Sequence, residues 1–176
     1  MGGWIKVYSG PMFSRKTEEL LIELKRYNFA NKKVALFKHS IDTRLKDIVK
    51  SHDGRYMPAI AVNGSAEIVP QSKGYEVIGI DEAQFFDEGV IDVVGGLAND
   101  GKRVIIAGLD KNYLGEPFGP MPGLLAIADE VIKLTAVCMI CGEPATFSAR
   151  KISSNKSILI GGEDVYEPRC RAHFRV

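Results

Sequence analysis

The stretch SGPMFSRKT (9–17) nearly completes the phosphate-binding pattern GxxxxGK[ST]: Gly10, Lys16 and Thr17 are in register, and Arg15 stands where the second glycine belongs. A loop of this kind wraps backbone N–H groups round a phosphate at a helix N-terminus, where the helix dipole favours negative charge. Lys16 would reach the β- and γ-phosphates, and the Thr17 hydroxyl would ligate magnesium. The metal needs an acidic partner at the end of a strand, and VIGIDEAQFF (77–86) supplies Asp81 directly after an apolar run. Glu82 follows it as a candidate proton acceptor, the division of labour that phosphoryl transfer to a hydroxyl requires. A GK[ST] or a strand-end acidic pair is weak by itself, because glycine turns and solvated carboxylates are common. Together in one chain they point to nucleotide chemistry.

Arg15 works against the loop. Glycine is used where backbone approaches a ligand closely or takes positive φ, and a left-handed L-residue there costs about 1–2 kcal/mol. Several amides and a lysine outweigh that, so triphosphate binding is expected to be weakened or reshaped and not lost. The guanidinium is itself a candidate phosphate contact.

A second constellation lies near the C-terminus. CMIC places Cys138 and Cys141 two residues apart, and CRAH places Cys170 and His173 at the same spacing. Two such knuckles supply four ligands for a tetrahedral structural zinc, with no position left open for catalysis. Buried free thiols are the alternative, but the matched spacing uses all 3 cysteines. His39 and His52 have no partner pattern and are predicted to be solvated loop histidines.

The elements that must hold these groups read as α/β. WIKVYSG (4–10) predicts a strand, and TEELLIELKRY (17–27) a helix with Leu20, Leu21, Leu24 and Tyr27 at helical spacing. KKVALFKH (32–39), YEVIGID (75–81), KRVIIAGLD (102–110) and EVIKLTAV (130–137) predict further strands of a largely parallel sheet buried on both faces. Val90, Val94 and Leu97 share one side of a predicted helix, with Gly101 just past its end. Residues 39–59 mix charges with weak periodicity and are expected to form a mobile loop over a site. After Val137 the alternation stops. Residues 1–137 are therefore read as a nucleotide-binding core and 138–176 as a small appended lobe.

Lys and Arg number 23 against 22 Asp and Glu, so no global field draws in nucleic acid or an anionic membrane. This argues against a zinc-ribbon nucleic-acid binder, which needs a basic face. No run approaches the roughly 18 apolar residues of a membrane span, and MGGWIKVYSG lacks a signal-peptide core. A cytoplasmic location with reduced thiols is expected.

Beyond these readings, GPMFSRKTEELL, DTR (42–44), SHDG (51–54), IDEAQFF (80–86), GLDKNYLGEPFG (108–119), KLTAVCMICG (133–142) and IGGEDVYEPRC (160–170) resemble the type II thymidine kinases, in that family's order over nearly the whole chain. The resemblance implies a RecA-like P-loop core, a zinc-tethered lasso lobe, and a homotetramer using ATP and magnesium to phosphorylate thymidine, with deoxyuridine also accepted. Under it, Glu82 is the catalytic base. The phosphate and magnesium end comprises Gly10, Pro11, Met12, Phe13, Ser14, Arg15, Lys16, Thr17, Asp42, Arg44, Asp81 and Gln84. The nucleoside pocket draws on Met12, Phe85, Leu109, Tyr113, Phe118 and Tyr166 with the lasso at Ser157, Ile158, Leu159, Ile160 and Gly161. His173 stands where many members have a fourth cysteine, and imidazole is an equally normal zinc ligand. The reading from another class is a nucleotide-binding homologue whose kinase activity Arg15 impairs.

Overall fold

The computed structural model describes residues 2–43, 45, 47–152, 159 and 161–175. The elements run β1 (Trp4–Ser9), α1 (Lys16–Phe29), β2 (Val34–His39), β3 (Ile48–Lys50), β4 (Tyr56–Pro58), β5 (Ile60–Val62), α2 (Ile68–Gln71), β6 (Val77–Asp81), α3 (Gly89–Asn99), β7 (Arg103–Gly108), α4 (Met121–Ile127), β8 (Glu130–Lys133), β9 (Ala136–Val137), β10 (Pro144–Ala145), β11 (Phe147–Arg150) and β12 (Tyr166–Arg169). A 6-stranded sheet in the order β5-β2-β6-β7-β1-β8 carries the core. Every ladder in it is parallel.

The sheet is parallel because each crossover helix buries an apolar stripe against it. On one face Leu20, Leu21 and Leu24 of α1 pack with Leu36, Val77 and Ile105. On the other, Val90, Val94 and Leu97 of α3 join Met121 and Leu124 of α4 over Ile78, Ile80, Val104 and Ile106. The strands are sandwiched, so β6 and β7 are apolar at nearly every position. Gly79 suits this packing: a Cβ there would meet Leu24 Cδ1 at 2.5 Å and Leu36 Cδ1 at 2.9 Å, so those two buried leucines would have to shift. As expected, α3 ends at Asn99 and the chain leaves through Gly101 at φ 84.

Two expectations are corrected. Residues 39–59 are not all loop: β3 and β4 form an antiparallel hairpin whose central residues, Val49 and Met57, are buried with the α1 leucines. Each strand buries only its middle residue, in the pattern exposed, buried, exposed. Three residues are too few to reveal a period among flanking charges. The run 130–137 also divides. Glu130–Lys133 pairs with β1, whereas Ala136–Val137 leaves the sheet to pair with β10. The parallel order brings the C-terminal ends of β2, β6, β7 and β1 side by side along one edge, where ligands of open α/β sheets bind.

Candidate active site

Gly10 leaves β1 at φ 144, and a Cβ there would sit 2.3 Å from Leu134 O, so only glycine lets the loop turn beneath the strand end. Pro11 O then accepts hydrogen bonds from Ser14 Oγ (2.7 Å) and Lys16 Nζ (2.5 Å), which curl the chain back on itself. Arg15 caps α1 at φ 67, ψ 23, the left-handed conformation that a glycine would favour. The curl is intact with arginine in place, and the Arg15 side chain is exposed and borders the cleft.

One register step away on the neighbouring elements lies the acidic partner. Asp81 ends β6 opposite Lys38 of β2, and Thr17 Oγ1 donates to its carboxylate at 3.1 and 3.3 Å. The chain turns at once through Glu82, held left-handed at φ 51, ψ 46. A strained residue at the mouth of a cleft is a recurrent feature of functional sites. Gln84 is buried behind it: its Nε2 donates to Glu82 Oε2 (2.6 Å) and its Oε1 accepts the Leu109 N–H (2.9 Å). Its amide therefore links the β6 turn to the loop after β7.

The cavity over these groups holds about 490 Å³. Its polar lining includes Arg15, Lys16, Thr17, Asp42, Asp81 and Glu82. Its apolar and aromatic lining includes Met12, Phe85, Leu109, Tyr113, Phe118, Leu159, Gly161 and Tyr166. Phe85 and Phe118 meet edge to face at 6.1 Å. Arg150 stacks its guanidinium 3.5 Å from the Tyr113 ring centroid and donates to Tyr166 Oη (3.3 Å), while Tyr166 Oη donates to Leu159 O (2.8 Å).

Of the residues singled out from the sequence, Phe13 also borders the cavity, whereas Gly10, Pro11 and Ser14 shape the loop without lining it. Arg44, Ser157, Ile158 and Ile160 lie outside the described residues. Sequence reasoning missed Lys38, which is 2% exposed, forms a 3.3 Å ion pair with Asp42 and donates to Leu45 O at 2.6 Å. The available signal was a lysine inside an apolar strand, since a buried ammonium needs partners. Also missed was Ser148, whereas Ile48–His52 borders the cavity, as expected of a segment lying over a site. His39 is half-buried on the last residue of β2, edge-on to Phe86, and is no loop histidine; His52 is exposed in the hairpin. Beside the cavity, burial pushes the Asp110 carboxyl up, but the Lys133 and Lys111 ammonium groups, each 3.0 Å away, outweigh it and hold it below the ordinary carboxylate value.

In the lobe, one atom from each of Cys138, Cys141, Cys170 and His173 lies within 4.8 Å of the others. Tetrahedral zinc with bonds of about 2.0–2.3 Å spaces its ligands roughly 3.5–3.8 Å apart. Cys141 Sγ to Cys170 Sγ is 3.7 Å, Cys138 Sγ to His173 Nδ1 3.9 Å and Cys170 Sγ to His173 Nδ1 3.2 Å. Burial opposes ionisation of Cys138, but hydrogen bonds from backbone N–H groups of Cys170, Ile140 and Cys141 bring its thiol down to about 6. That favours the thiolate a metal binds. The donor set and spacing fit zinc.

A glycine-led loop running from the first strand of a parallel sheet into a helix, with an acidic residue ending a nearby strand, defines an α/β protein with a candidate phosphate-binding loop. The sequence profile described as thymidine kinase matches residues 3–174. The chain is 51% identical over 174 residues to a thymidine kinase of Bacteroides fragilis, spanning 98% of this chain and 87% of that protein. It is 51% identical over 170 residues to one of Bacteroides thetaiotaomicron (96% and 85%) and 46% identical over 174 residues to one of a Rhodothermus species (98% and 82%). The chain belongs to the thymidine kinase family.

Proposed function

We propose that the protein transfers the γ-phosphoryl group of ATP to the 5′-hydroxyl of thymidine, giving thymidine monophosphate and ADP. The observation that carries this reading is one cavity lined by two unlike sets of groups: Lys16, Thr17, Asp81 and Glu82, and a set of aromatic and apolar side chains. The loop amides and Lys16 hold the triphosphate. Thr17 and Asp81 would hold magnesium, which offsets charge building between the β- and γ-phosphates. Glu82 accepts the proton of the attacking hydroxyl as the new O–P bond forms, and the bond from the γ-phosphorus to the bridging oxygen breaks, leaving ADP with the electron pair.

The aromatic slot suits a flat base. A recess for one methyl group contributes only about 1–3 kcal/mol, so deoxyuridine is expected to be accepted as well. The Cys138, Cys141, Cys170 and His173 set would hold zinc in a structural role. A cytoplasmic homotetramer is what the resemblance to type II thymidine kinases implies, and no helix among the described residues is long and apolar enough to cross a membrane. The test is incubation with γ-labelled ATP, magnesium and thymidine, followed by chromatography of the products. Label in thymidine monophosphate supports the reading; ATP binding without label transfer to thymidine overturns it in favour of a binding protein.

A further inference from the structure

The phosphate loop is held from two sides, and one of them is the metal-binding lobe. Phe13, in the middle of the loop, is left-handed at φ 64. Its side chain packs on the lobe's small apolar cluster of Ala136, Cys138, Ala145 and Cys170. On the preceding residue, Met12 N–H donates to Ser148 Oγ at 2.9 Å, and Ser148 is buried on β11 of the lobe. One residue earlier, Pro11 O accepts from Lys16 Nζ. The backbone that fixes the loop's lysine is thus the backbone the lobe grips. A non-glycine residue at positive φ persists only where its surroundings over-determine it. For Phe13 those surroundings include two of the four candidate zinc ligands, Cys138 and Cys170. So small a cluster needs its metal to stay ordered.

Resting on the nucleotide and zinc readings above, we propose that Phe13 is a positioning residue that couples the phosphate loop to the metal lobe, so that a nucleotide phosphate and the lobe's metal each strengthen binding of the other. Coupling between sites is reciprocal. Ordering the loop on a phosphate presses Phe13 onto the cluster and slows loss of the metal. Loss of the metal loosens the seat of Phe13 and weakens phosphate binding. The apolar lining also touches the lobe, through Leu159, Gly161 and Tyr166, but those contacts do not pass through Phe13.

The experiment follows release of zinc from the purified, zinc-loaded protein to a colorimetric chelator, with and without saturating magnesium–ADP. Release is expected to slow by about fivefold or more with ADP, the lower range of measured coupling between sites. In Phe13→Ala, and in Phe13→Leu should the alanine variant fail to fold, this ratio falls toward one. KM for ATP rises several-fold in the same variants while KM for thymidine stays within about twofold. Equal release rates with and without ADP in the unaltered protein overturn the coupling. An undiminished ratio in a folded Phe13 variant overturns the role of Phe13. Absence of stoichiometric zinc, or of ADP binding in equilibrium dialysis, would instead overturn the zinc or the nucleotide reading on which the coupling rests.

Discussion

Replacing Arg15 by glycine separates two costs that a sequence motif runs together. Arg15 caps α1 at φ 67, so the left-handed strain is built into the fold of the loop itself. That strain is about 1–2 kcal/mol for an L-residue, whereas glycine loses about 0.5–1 kcal/mol more backbone freedom on folding. The difference leaves Arg15→Gly more stable by about 0.5–1 kcal/mol, which for a chain of this size raises the thermal midpoint by roughly 1–4 °C. Relieving strain carried by the fold itself gives no gain in ATP affinity. Removing an exposed cation from the edge of the cleft weakens attraction for a polyanion, by about 1 kcal/mol or less at an exposed position. KM for ATP is therefore expected to stay level or rise a few-fold, and KM for thymidine to stay constant. Calorimetry and ADP-release kinetics on the pair of proteins give both numbers. A lower midpoint, or a tenfold fall in KM for ATP with the midpoint unmoved, refutes the reasoning, since the strain would then arise on binding.

Three further outcomes follow. Lys133→Met is expected to destabilise at neutral pH by only about 1 kcal/mol, because Lys133 is 57% exposed. Asp110 has a folded pKa below its unfolded value of about 3.9, so its contribution is complete above that value and is lost as pH falls through the folded one. The deficit seen in urea melts should hence begin to shrink below about pH 4 and disappear as pH falls through the folded pKa, and a deficit constant with pH speaks against the pairing. Gln84→Ala strips the Leu109 N–H and Glu82 of their shared partner. Steady-state kinetics should show kcat/KM for thymidine down about tenfold or more, with KM for ATP little changed. Cys141→Ser, read by metal analysis and circular dichroism, is expected to lose most of the zinc and lower the thermal midpoint, while full zinc occupancy would remove Cys141 from the ligand set.

The central strands were legible because burial on both faces leaves an uninterrupted apolar signal, as in VALF of β2 and VIGI of β6. The α1 and α3 stripes were legible for the matching reason, one buried side at helical spacing. Strands of 3 residues and the 4-residue α2 carry no readable period, and their form comes from tertiary packing against α1 and α3. In the site, residues with motif chemistry announced themselves, whereas Lys38 did not. Its role depends on Asp42 and Leu45 folding back over the end of β2, a contact that spacing alone does not encode. Ser148 was silent for a similar cause, as a serine in a short strand whose partner, Met12, lies 136 residues away.

Glu82→Gln tests the central claim most directly, because it removes the proton acceptor while keeping the side chain's shape and its place beside Gln84. Turnover is measured by ADP release with and without thymidine, alongside thymidine binding by calorimetry. A kcat about 10²–10⁴ lower is expected, with thymidine bound nearly as before. Near-normal thymidine-dependent turnover in the glutamine variant would contradict it.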